Sequence, residues 1–117
     1  VQRLIQEEFL SVLQEVDVLA WPTTVCPAFP IGATSVLIEG VEHPIAGSAM
    51  TITNRNNFVG NMTGLPSISL PCGFNKDHLP LALQLMGRPF EEAKLFQMAA
   101  AHEKDSPSNG IWPTMKA

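Results

Sequence analysis

The chain is 117 residues long, enough for one domain, and combines 45% hydrophobic residues with only 15% charged ones, against the ~25% charged of an ordinary soluble domain. Part of its surface is therefore expected to be covered, and a net charge of −4 with seven scattered Lys and Arg excludes the clustered basic face that phosphate binding needs. Two cysteines without metal-ligand spacing exclude a disulfide scaffold and predict reduced, buried thiols in a cytoplasmic protein, and no apolar run reaches the ~18 residues of a membrane span.

Residues 1–16, "VQRLIQEEFLSVLQEV", place Val1, Ile5, Phe9, Val12, Leu13 and Val16 at helical spacing among Gln and Glu, predicting an amphipathic helix. "VLAW" (18–21), stopped by Pro22, reads as a buried strand. Three prolines and a glycine make 22–33 a loop. "SVLIEGVEH" (35–43) has the pattern of a hairpin turning at Glu39-Gly40. Over 53–63 the Thr and Asn residues are poor helix formers, yet Phe58, Met62 and the stop at Gly64 favour a helix. "NMTGLPSISLPCGF" (61–74) then reads as helix end, tight turn, a strand over 67–70 trimmed by Pro66 and Pro71, and an exit loop.

"NKDHLP" (75–80) is a turn and 81–86 a strand that alternates Leu81, Leu83 and Leu85 with Ala82, Gln84 and Met86. So short a connection predicts antiparallel pairing with 67–70, because a parallel crossover needs about a dozen residues or more. "PFEEAKLFQMAAAHEK" (89–104) predicts a helix with Pro89 in its first turn, Glu91 and Glu92 at its N-terminus, and Leu95, Phe96, Met98, Ala99 and Ala100 inward. The tail from Asp105 is irregular. The sum is an α/β fold, a mixed β-sheet with helices on its faces, in which the first strand and 67–70 run parallel. A three-stranded sheet with two open edges, in a chain that opens in mid-helix without an initiator Met, reads as a piece of a larger domain.

Motif chemistry alone supplies no catalytic machinery. "GNMTG" (60–64) departs from a Gly-x-Ser-x-Gly elbow, with Thr63 off-centre. Cys72 and His78 lack a third, orienting group. His43, His78 and His102 have no ligand spacing, so neither metal nor cofactor is expected. The carboxylate pairs Glu7-Glu8 and Glu91-Glu92 belong to a polar helix face and a helix first turn.

The order of "VDVLAWPTT", "NMTGLPSISLPCGF" and "LPLALQLMGRPFEEAKLFQMAAAHE" resembles the C-terminal part of the amidase signature family, from about Phe9 to Glu103. Asn61-x-x-Gly64-Leu65-Pro66, Pro71-Cys72-Gly73-Phe74, Leu79-Pro80 and Gln84-Leu85-x-Gly87 carry the resemblance. It implies an α/β/α fold around a large mixed sheet in which 67–70 is a central strand. It also implies carboxamide hydrolysis or transfer through a Ser–Ser–Lys triad that lies upstream of this chain. Lys76, Lys94, Lys104 and Lys116 match none of its context, so residues 1–117 form the C-terminal fragment of one domain and hold no catalytic residue.

The same resemblance sets the 53–61 helix against the substrate pocket and makes Thr53, Asn54, Phe58 and Asn61 the substrate-binding residues. In the amidotransferase branch of the family, which acts on glutamyl-tRNA(Gln) or aspartyl-tRNA(Asn), the position of Asn54 is acidic. An amidase acting on a small amide is therefore favoured. The alternatives are that amidotransferase branch and a non-catalytic interaction module of the same fold. The expected partners are a small-molecule amide and the missing N-terminal part of the fold. Nucleic acid and membrane are not expected, and homo-oligomerisation is left open.

Overall fold

The computed structural model describes residues 1–46 and 50–112, with side chains described for 1–46 and 53–112; Lys116 and the end of the tail lie outside the described residues. The elements, in chain order, are α1 (Gln2–Val12), β1 (Leu19–Pro22), β2 (Ser35–Ile38), β3 (Val41–Pro44), α2 (Met50–Thr63), β4 (Ser67–Phe74), β5 (Pro80–Met86) and α3 (Glu92–Asp105). The strands form a three-stranded sheet in the order β1-β5-β4 and a separate β2-β3 hairpin.

Pairing follows the pattern of short connections. β5 lies antiparallel to β4, with Ile68 opposite Leu85 and Ser69 opposite Gln84. It is also antiparallel to β1, with Leu19 opposite Met86 and Trp21 opposite Gln84. β1 and β4 therefore run in the same direction, as expected, but on either side of β5, and all three ladders among the described residues are antiparallel. Among the described strands β5 holds the centre and β4 an edge of this chain's own three-stranded sheet.

Strand alternation sorts the side chains onto two faces. Leu70 and Leu85 join Leu95 and Ala99 of α3 in one buried cluster, with Val18, Ile68 and Leu83 against it. On the opposite face Leu13, Leu65 and Met86 are buried among Phe9, Leu10, Leu19, Trp21 and Val59. Helices α1 and α2 thus cover one face and α3 the other, which is an α/β/α sandwich.

Several boundaries differ from expectation for identifiable reasons. Helix α1 ends at Val12 rather than Val16, because Gln14 and Glu15 donate to Ser11 and Val12 three residues back and tighten the last turn. No residue of α1 itself is fully buried; Leu13, the residue that caps its end, is, while Val1, Val12 and Val16 are exposed. β4 does not stop at Pro71. It continues to Phe74 past an irregularity between Pro71 and Gly73, since a proline on an edge strand leaves the sheet without a missing ladder bond. That extension carries Cys72 to the surface, so the expectation of two buried thiols fails for this one. Cys26 is half-buried, and burial pushes its thiol pKa up.

Helix α3 starts at Glu92, after a turn in which Phe90 takes a positive φ of 64°. Pro89 falls in that turn rather than in the helix. Only Leu95 and Ala99 of its expected inner face are buried; Phe96, Met98 and Ala100 face outward. The hairpin turns at Glu39-Gly40 as predicted, both residues taking positive φ, as a two-residue primed turn requires. Gly64 follows α2 at φ +68° with its N–H on the carbonyl of Gly60 at 2.8 Å, the left-handed C-terminal stop that the sequence marked.

Long-range polar contacts lock the helices down. Arg88, just past β5, donates from Nη2 to the carbonyls of Leu13 and, at 3.2 Å, Val16, and pairs through Nη1 with Glu91 at 3.1 Å. It thereby satisfies carbonyls that the end of α1 leaves without a helical partner. Gln6 Nε2 donates to the carbonyl of Thr63 at 2.6 Å and joins α1 to the end of α2. The Thr63 hydroxyl, itself buried, donates to the Val59 carbonyl at 2.7 Å and accepts from Leu65 N–H at 3.3 Å.

Candidate functional site

With about 100° of rotation per helical residue, α2 turns Asn56, Val59, Gly60 and Thr63 to the sheet. Asn54, Phe58 and Asn61 share the opposite face, at spacings of four and three. Phe58 is 43% exposed, Asn61 is exposed, and Asn54 and Thr53 are half-buried. The four residues predicted to bind substrate therefore divide: three form an outward stripe, and Thr53 sits on the shoulder nearer the sheet.

The polar groups that converge lie at the sheet-facing side of α2, at the end of β1. Asn56 Nδ2 donates to the carbonyl of Pro22 at 2.7 Å, and Trp21 Nε1 donates to the carbonyl of Asn56 at 3.4 Å. Beside this clasp the hydroxyls of Thr23 and Ser69 are 2.8 Å apart. Trp21, Gln84 and Ser69 occupy one row across the three strands. Asn56, Thr23 and Ser69 did not emerge from the sequence as site residues. The available signal was the alternation of Ser67 and Ser69 with Ile68 and Leu70, which puts the serines on one face.

A larger concavity, about 780 Å³, lies on the other side of the sheet, between β4, α3 and the tail. Ile68, Leu70, Phe74, Phe96 and Trp112 make its lining mainly apolar, Ser69, His102, Glu103 and Asn109 also border it, and none of the four predicted binding residues reaches it. The hydrogen bonds of Asn56, Trp21, Thr23 and Ser69 converge instead at the α2–β1 end, so the candidate site is taken as α2, its outward stripe included, with the end of β1 beside it. Cys72 borders a shallow pocket with His102 and Asp105, not with His78. His102 Nε2 lies 3.1 Å from the Pro71 carbonyl. Among the described residues no group of three or more His, Cys, Asp or Glu is placed to hold a metal ion. Lys94 is paired with Asp17 at 3.2 Å and Glu91 at 3.1 Å. No helix among the described residues is long and apolar enough to cross a membrane.

Residues 1–96 match the protein family described as Amidase. The chain belongs to the amidase family. Within that family it is 43% identical over 105 residues to the A-type subunit of glutamyl-tRNA(Gln) amidotransferase from Myxococcus xanthus (strain DK1622), covering 90% of this chain and 20% of that one. The crystal structure of the corresponding amidotransferase protein from Thermotoga maritima is similar at a TM-score of 0.75 and 36% identity, over 99% of this chain and 24% of the other. A bacterial aryl acylamidase of the amidase signature family is similar at a TM-score of 0.70 and 27% identity, over 91% of this chain and 21% of that one. The amidase-family chain described here thus spans about a fifth of the length of the curated relatives it matches.

Proposed function

We propose that the protein containing this chain cleaves the C–N bond of an uncharged carboxamide by serine–serine–lysine acyl transfer, with all three catalytic groups outside residues 1–117. The observation that carries the reading is the amidase-family match across residues 1–96, supported by the resemblance to a solved aryl acylamidase. This chain's part is to frame the pocket. α2, pinned to β1 through Asn56 and Pro22, presents Asn54, Phe58 and Asn61, with Thr53 beside them, as one wall of a substrate site that the remainder of the domain closes in the cytoplasm.

Asn54 sets the substrate preference in this reading. A carboxylate there would pair with a substrate ammonium, and charge-assisted hydrogen bonds are about twice as strong as neutral ones. A neutral amide leaves such an ammonium without that compensation. The full-length protein is expected to favour propionamide or benzamide over free glutamine by about tenfold in kcat/KM, a difference of about 1.4 kcal/mol. Asn54→Asp should narrow the gap, and the isolated chain should turn over none of the three.

A second reading is favoured by the identities themselves, which are 36% or more to the glutamyl-tRNA(Gln) amidotransferase relatives and 27% to the aryl acylamidase. Under it the protein would draw ammonia from glutamine for a tRNA-linked acyl group. Better use of glutamine than of either neutral amide would establish that branch against the first. No turnover of any of the three by the full-length protein would leave a non-catalytic interaction module.

A further inference from the structure

We propose that the hydroxyl pair of Thr23 and Ser69 is a binding subsite for a neutral carboxamide group; the assignment rests on the amide-cleaving reading above for the identity of its ligand. The two oxygens are 2.8 Å apart, so one hydroxyl donates to the other. The pair as a unit then keeps one free O–H donor and free oxygen lone pairs, and carries no charge. A primary carboxamide offers the complement, a carbonyl that accepts and N–H groups that donate. An ammonium would find acceptors without an opposing charge, and a carboxylate would find a single donor.

The pair is also held in place. Thr23 N–H donates to the Ala82 carbonyl at 2.9 Å, which fixes Thr23 against β5. Ser69 stands opposite Gln84 on the other side of the same strand. Both hydroxyls are therefore carried by the sheet or its immediate extension, where geometry is more exact than on a loop. Asn56 holds the carbonyl of Pro22, the residue before Thr23, at 2.7 Å. Ser69 remains exposed and Thr23 half-buried, so the pair is within reach of a small molecule.

The test titrates the full-length protein with benzamide by calorimetry and measures kcat/KM for benzamide and methyl benzoate, in wild type, Ser69→Ala, Thr23→Val and Thr23→Ser. Ser69→Ala and Thr23→Val should each weaken benzamide binding about tenfold, the effect of leaving one polar group of the ligand unpaired. Thr23→Ser, which keeps the hydroxyl, should bind as wild type does. Methyl benzoate, which lacks N–H donors, should be affected less than the amide; equal losses for both would mean structural damage and overturn the subsite. Unchanged benzamide affinity in Ser69→Ala and Thr23→Val would also overturn it while leaving amide hydrolysis by the wild type intact. Binding that depends on the pair without turnover would retain the subsite and remove the hydrolase reading, and a wild type that neither binds nor cleaves benzamide would remove both.

Discussion

The side-chain amide of Asn56 holds the carbonyl of Pro22 at 2.7 Å across 34 positions of sequence. Proline contributes no N–H to a sheet, so this one contact closes the outer side of β1 at its last residue, and Trp21 reinforces it by donating to the Asn56 carbonyl. Asn56→Ala is expected to lower the unfolding free energy by about 1 kcal/mol, the usual net value of one such hydrogen bond. Hydrogen exchange should locate the loosening in α2 and leave α3 unchanged; equal effects on the two helices would contradict the clasp.

Arg88 connects the end of α1 to the turn before α3. Removing it leaves carbonyls at the end of α1 without a donor, so Arg88→Ala should cost about 1.5–3 kcal/mol, the range for hydrogen bonds to a charged group. Arg88→Lys should recover only part of this, because an ammonium cannot reproduce the guanidinium fork that reaches Leu13, Val16 and Glu91 together. Urea midpoints for the two variants at equal m-value decide the matter.

Much of the sandwich was legible because its signals are periodic. Ile68 and Leu70 alternate with Ser67 and Ser69, the connection to β5 is too short for a crossover, and Gly64 marks the end of α2. Less legible was anything that depends on what sits beside a residue. Pro71 resembles a strand terminator until its place at a sheet edge is known. Val12 and Val16 have core spacing, yet the tightened end of α1 turns them outward. The Thr23–Ser69 pair joins residues 46 positions apart, which no local pattern encodes.

Glu91 and Lys94 give the α3 terminus a defined pH response. The Lys94 ammonium bonded to Glu91, helped by Arg88, holds the Glu91 carboxyl below its ordinary value of 4.5. Bonds to Glu91 and then Asp17 hold Lys94 above its ordinary 10.5. A depressed carboxylate stabilises fully above its unfolded pKa and loses that contribution as pH falls through the folded one; a raised ammonium does so below its unfolded pKa and loses it as pH rises through the folded one. The stability difference between wild type and Glu91→Gln should be level from about pH 4.5 to about pH 10.5. It should disappear in acid and shrink in about 1 M salt, where screening reaches within ~3 Å. A difference that persisted in acid would assign Glu91 a role other than its charge.

Gly87, just past the end of β5, lies against Leu95 of α3. A Cβ placed there would lie 3.3 Å from Leu95 Cδ2 and 3.4 Å from its Cγ, and Leu95 is buried in the cluster with Leu70 and Leu85. Gly87→Val should therefore destabilise by about 1–3 kcal/mol through overpacking. Adding Leu95→Ala should make the pair less costly than the sum of the single changes, because the cavity and the overpacked side chain share one space. Additive thermal shifts would count against the contact.

The link between Arg88 and Leu13 has a consequence in time. The partners are 75 positions apart, and β1 likewise has no ladder until β5 exists. At a synthesis rate of about 5–20 residues per second, α1 and β1 leave the ribosome roughly 4–15 s before the residues that cap and pair them. Helix–coil exchange in so short a segment runs in about a microsecond. The first part of this chain therefore spends that interval without the partners that cap and pair it, and a cell that makes the protein must keep Phe9, Leu10 and Leu13, which end packed in one cluster with Met86, from other company until β5 and Arg88 arrive.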